Sequence, residues 1–200
     1  FRVALLATLA VAAPASAQLG HSAETGRFTI ARLHYAGGGD WYANQSSLPN
    51  LLAELQRRTG LPTTEREAVV TLDDERLFDF PMLYVTGHGI MRPVESDLSR
   101  LRTWLDAGGF LWVDDNYGLD ESFRDTLGRL YPDHELVPLD GAHPIYSAWY
   151  ELPGLPKVHE HDGLPAQGFG LFDEGRMKVF YTFSSDIGDG LEDAEVHGDS

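Results

Sequence analysis

From Arg27 onward the apolar positions of the chain change period in a regular way. Phe28 to Tyr35 (FTIARLHY) alternates apolar and polar residues and is rich in β-formers, which predicts a strand. Gly37-Gly38-Gly39 follows as a loop. Leu48, Leu51, Leu52 and Leu55 then recur at helical spacing. Ser46 or Ser47 caps this predicted helix, Pro49 sits in its first turn and Gly60 stops it. Ala68 to Leu72 reads as a short strand, and Asp73 to Phe80 as a helical turn closed by Pro81. Met82 to Thr86 (MLYVT) and Phe110 to Val113 (FLWV) are continuous apolar runs, the pattern of strands buried on both faces. Between them, Glu95 to Ala107 places Leu98, Leu101, Trp104 and Leu105 on one helical face, and Gly108-Gly109 ends it. Ser122 to Leu130 reads as a helix with Phe123, Leu127 and Leu130 turned inward.

Strand, helix, strand, helix, strand at this spacing predicts βαβ units around a parallel sheet. The remainder has a different rhythm. Residues 135–167 are proline-rich with irregular apolar clusters, so they read as loop with short strands. Gly168 to Phe172 and Met177 to Phe183 flank Asp173-Glu174-Gly175, a hairpin signal. The α/β body is expected over residues 27–195, with residues 184–200 as an acidic, exposed or extended tail unless a partner or cation neutralises it.

The first twenty residues stand apart. Val3 to Ala17 (VALLATLAVAAPASA) is an apolar run ending in Ala15-Ser16-Ala17, the form of a secretory signal peptide with its cleavage site. Kept uncleaved, a helix of this length spans about 25 Å of a hydrocarbon core of roughly 30 Å. Residues 1–20 are therefore expected to be a signal-anchor helix, with Leu5, Leu6 and Leu9 among the side chains facing membrane partners.

Charge sharpens this division. The chain has 31 acidic against 15 basic residues, a net charge of −16, and residues 1–20 contribute only Arg2. Such an acidic body argues against nucleic acid as a direct ligand and against docking on anionic lipid by charge. There is no cysteine, hence no disulfide framework, thiolate metal site or cysteine nucleophile.

In an open α/β sheet, ligands sit beyond the carboxyl ends of the strands. Three polar loops are expected there: Gly37 to Tyr42, Gly87 to Gly89 and Asp114 to Gly118. Together they would bring Asp40, His88, Asp114 and Asp115 to one rim, a set suited to a divalent cation or to acid–base chemistry. A second reading stands beside it: Asp114 and Asp115 cap the following helix or bind neighbouring backbone N–H groups, and His88 is a satisfied structural histidine. His159 and His161 alternate along an extended segment and so share a face, which fits joint ligation of a metal. His143 reads as ordering a loop, and Trp41, Trp149 and Tyr150 as exposed contact area for a partner. No nucleophile elbow, Walker loop or dinucleotide fingerprint is present, and no cofactor is expected beyond a divalent cation.

The same residues carry a family likeness. Tyr35-Ala36-Gly37-Gly38-Gly39-Asp40-Trp41-Tyr42, Asn50-Leu51-Leu52, Gly87-His88-Gly89, Gly108-Gly109-Phe110-Leu111 with Asp114-Asp115, His143-Pro144-Ile145-Tyr146, Asp173-Glu174-Gly175-Arg176 and Ser185-Asp186-Ile187-Gly188 occur in that order. The chain in this way resembles the bacterial family called domain of unknown function 4159. The resemblance implies a flavodoxin-like, open, mostly parallel sheet with helices on both faces, related to class I glutamine amidotransferases. It implies no activity, and the amidotransferase cysteine has no counterpart here. The function expected is that of a non-catalytic periplasmic accessory subunit. It would be anchored through residues 1–20 to integral membrane subunits of a bacterial inner-membrane complex, of photosynthetic or respiratory type. The alternative is a metal-dependent hydrolase or small-ligand-binding domain using the Asp40, His88, Asp114 and Asp115 rim.

Overall fold

The computed structural model describes residues 26–197. The expected signal-anchor, with Leu5, Leu6 and Leu9, lies outside these residues, as do the last three of the acidic tail. In chain order the elements are β1 (Ala31–Leu33), α1 (Ser47–Thr59), β2 (Ala68–Val70), β3 (Met82–His88), α2 (Glu95–Asp106), β4 (Phe110–Tyr117) and α3 (Asp120–Leu130). After these come β5 (Val137–Pro138), β6 (Gln167–Asp173), β7 (Arg176–Phe183), α4 (Ile187–Leu191) and α5 (Ala194–His197). Short 3-10 turns occupy Glu75–Asp79 and Pro144–Tyr146. No described helix is long and apolar enough to cross a membrane.

One seven-stranded sheet runs in the order β2-β1-β3-β4-β7-β6-β5. The first five strands of that order are parallel, which is the flavodoxin-like arrangement with β7 in the fifth place. β6 and β5 extend it antiparallel. The hairpin turn needs left-handed backbone at both central residues, and Glu174 and Gly175 have φ of 51° and 76°. The hairpin itself is legible from the sequence. That its second strand inserts beside β4, a chain neighbour only at long range, is not.

Alternation along the strands feeds two apolar layers. Leu33, Leu83, Val85, Leu111, Val113, Val179 and Tyr181 face α2 and α3. Ile30, Tyr84 and Trp112 face the other way, under Leu48 and Leu52 of α1 and Ile187 and Leu191 of α4. Each fully buried side chain of this size contributes about 1.5–3 kcal/mol of transfer free energy. Trp104 of α2 lies over the start of β4 and donates Nε1–H to the Phe80 carbonyl at 2.9 Å. A side chain at Gly109 would collide with that indole, which explains the glycine.

Three differences from the expected pattern matter for function. β1 is only three residues long, because Phe28 makes an isolated bridge to Thr63 and β2 offers only three partners. β3 and β4 run further than their apolar cores, through Gly87-His88 and Asp114 to Tyr117. Neighbouring strands continue to pair there: Thr86 with Asp114, Gly87 with Asp115, His88 with Tyr117. And the segment from Ser184 does not begin as an exposed tail. Ser185, Asp186 and Gly188 are buried, and α4 packs against α1.

Candidate functional site

The loop after β1 is shaped by Arg32. This buried guanidinium pairs with Glu67 at 3.3 Å and donates to the carbonyls of Trp41, Ala43 and Asn44. Asn44 is thereby held in left-handed backbone (φ 57°) under the sheet end. Trp41 is not the exposed contact residue expected. It stacks on His34 with ring centroids 4.1 Å apart and packs against the core.

The structure divides the four expected rim residues instead of gathering them. Asp114 and Asp115 lie in β4, so successive side chains leave on opposite faces of the sheet. Asp114 goes under α4. Its Oδ1 accepts from the Thr182 hydroxyl at 2.6 Å and the Ile187 amide at 3.1 Å. Its Oδ2 accepts from the Gly188 amide at 2.6 Å and the Tyr84 hydroxyl at 3.3 Å. Burial pushes this carboxyl up to about 7, against the pull of those donors. Asp115 goes under α3, where Oδ1 accepts from the Leu119 amide at 3.1 Å and Oδ2 meets the Tyr181 hydroxyl at 3.0 Å. Burial raises its pKa as well. Asp115 thus sits at the start of the helix that follows it, whereas Asp114 serves the start of α4, not the following helix.

Asp40 and His88 do meet at the rim. Asp40 accepts the His88 backbone N–H on Oδ1, and its Oδ2 lies 3.0 Å from His88 Nδ1. That bond orients the ring and leaves Nε2 without a hydrogen-bond partner among the described residues. His161 stands edge-on to His88, with ring centroids 5.5 Å apart, and Tyr117 lies against its other side at 5.4 Å.

The second expected pair is brought together, and a carboxylate joins it. His159 and His161 stack with centroids 4.5 Å apart and planes 3° from parallel. His161 Nε2 lies 3.4 Å from Asp186 Oδ2, and His159 Nδ1 lies 2.9 Å from Asp189 Oδ2. Ligand atoms of His159, His161 and Asp186 all fall within 4.8 Å of one another, the grouping of this kind found among the described residues. Asp186 itself is buried, with left-handed backbone (φ 58°) in the turn after β7. Burial and the neighbouring Asp189 raise its pKa, while His161 and Asn44 lower it.

A polar relay ties this cluster to the sheet. Thr86 donates to Asn116 Oδ1 at 2.7 Å, Asn116 Nδ2 donates to Asn44 at 3.2 Å, and Asn44 Nδ2 donates to Asp186 Oδ1 at 3.3 Å. Sequence reasoning missed Asp186, Asp189, Asn44 and Asn116. The available signal for Asp186 was its place in Ser185-Asp186-Ile187-Gly188, a motif set against a tail otherwise read by charge alone. His143 does order its loop, accepting the Ile145 amide on Nδ1. Trp149 and Tyr150 are 59% and 54% exposed.

These features coincide with a family match. The profile of a domain of unknown function (DUF4159) fits residues 29–200. The chain belongs to the DUF4159 family. A search of curated proteins finds no match. Membership of DUF4159 agrees with the observed parallel sheet and assigns no chemistry to its rim.

Proposed function

We propose that this DUF4159 domain is a non-catalytic accessory subunit on the periplasmic side of a bacterial inner membrane. Residues 1–20 tether it to integral membrane subunits of a larger complex, of photosynthetic or respiratory type, and the domain stabilises that assembly from outside. One observation carries the reading. Residues 147–166 form a strap without helix or strand, and along it Trp149, Tyr150, Leu152, Val158 and Leu164 are exposed on an otherwise acidic body. Exposed aromatic and aliphatic groups on one segment are the composition of a contact surface, with the aromatics as anchors. Two further facts support it. The apolar run at Val3 to Ala17 is of near-spanning length. The carboxylates at the end of β4, where related folds place chemistry, are engaged with helix starts.

The test is purification of the full chain, carrying a C-terminal tag, from native membranes in mild detergent. The expected result is migration with integral membrane subunits, weakened by the Trp149→Ala, Tyr150→Ala double variant. Migration as a free monomer overturns the proposal.

A further inference from the structure

The strap is fastened to the turn after β7. The amides of Val158 and His159 donate to the Ser185 carbonyl at 2.9 and 3.3 Å, and the Ser185 hydroxyl donates to the Pro156 carbonyl at 2.5 Å. This fixes the strap along the turn after β7, so His159 and His161 project over the buried Asp186. Two imidazoles and one carboxylate, drawn from two separate segments, converge within 4.8 Å.

We infer that His159, His161 and Asp186 form a binding site for one divalent transition cation of the zinc class, and that the ion pins the strap to the sheet. The donor set is nitrogen-rich, which suits Zn²⁺ and its borderline neighbours rather than Ca²⁺ or Mg²⁺, whose shells are oxygen. The 3.4 Å between His161 Nε2 and Asp186 Oδ2 matches two ligands of one tetrahedral ion. With bonds of about 2.0–2.1 Å, that separation is roughly 3.3–3.4 Å. The outer layer is also built. Asp189 holds His159 Nδ1 and leaves Nε2 as the donor, and Asn44 holds the second oxygen of Asp186. Metal-bound histidines are oriented by such carboxylates. His159 is half exposed and can close the remaining distance by a rotamer change. His88, oriented by Asp40 and edge-on to His161, is the adjacent side chain with a nitrogen to offer a fourth position. The acidic body favours cation capture over the whole surface.

The experiment uses the full chain stripped with a chelator and titrated with Zn²⁺, then with Co²⁺ for its visible spectrum. The expected result is one saturable equivalent, a tetrahedral Co²⁺ band, a raised thermal midpoint and slower protease cleavage within 147–166. His159→Ala and His161→Ala are each expected to weaken binding by at least about 10-fold, whereas His134→Ala leaves it unchanged. Absence of a saturable equivalent overturns the site, as does binding by either histidine variant as tight as by the unaltered chain. The site does not rest on the membrane reading. Co-purification with membrane subunits tests that reading separately, so either can fail alone.

Discussion

Two groups of ionisable side chains meet at the carboxyl end of one sheet, and their surroundings give them opposite uses. At the end of β4, Asp114 and Asp115 are buried and saturated with donors from α4, β7 and the start of α3. Above them, His159, His161 and His88 are each held by one carboxylate through one ring nitrogen at the surface, the first two on the irregular strap and His88 at the end of β3. The first group holds the architecture together. The second is available for chemistry. Residue type does not separate them, since both contain carboxylates a few positions from glycines. Depth and the number of donors within reach do.

The largest expected effect is that of Asp114→Ala. It leaves the Ile187 and Gly188 amides without an acceptor, while the Thr182 hydroxyl keeps the Val113 carbonyl, at roughly 1–3 kcal/mol for each amide that finds no water. Urea denaturation should show a loss on the order of 4 kcal/mol. A loss below about 1 kcal/mol would place Asp114 with the rim instead.

Next is pH. In the unfolded chain Asp114 ionises near its ordinary value of about 4, and in the folded chain near 7. Between those values the folded state holds a proton that the unfolded state has lost. This contribution is fully present below pH 4 and disappears as pH rises through 7. A single group so shifted makes the protein less stable at pH 8 than at pH 5 by roughly 2.5 kcal/mol. Asp115 shifts in the same direction. Asp106 and Asp173 are lowered by Lys178, so their contributions are lost only at more acid pH. Asp114→Asn should be less stable throughout and flatter across this range, while the double variant His159→Ala, His161→Ala keeps the Asp114 slope.

Gly188→Ala should cost about 2 kcal/mol. A Cβ there runs into the Asn44 amide and the Tyr84 hydroxyl, displacing the turn that supplies Asp114 with its amides. The smallest effect on stability belongs to the rim. Without added metal, the double variant His159→Ala, His161→Ala should change unfolding free energy by less than about 1 kcal/mol. Its consequence is expected in cation binding and strap protection.

Much of the fold is legible locally. Leu48, Leu51, Leu52 and Leu55 announce α1, MLYVT and FLWV announce β3 and β4, and Asp173-Glu174-Gly175 announces the hairpin. The candidate site is less so. His159 and His161 could be paired by their alternation. Asp186 could not be added to them, because 25 residues separate it from His161 and only the closing of β7 against β4 sets it beneath the strap. Asp114 and Asp115 look alike in sequence, and it is the pleat that sends them to opposite faces.

By itself the chain's apolar periodicity determined the α/β class and the strand and helix positions, and its lack of cysteine excluded a cysteine nucleophile. These follow from local sterics and from which side chains leave water. Tertiary structure alone decided which acids became helix caps and which stayed at the surface beside imidazoles. That choice depends on how many donors surround a carboxylate once distant segments close over it, and no neighbour in sequence supplies that count.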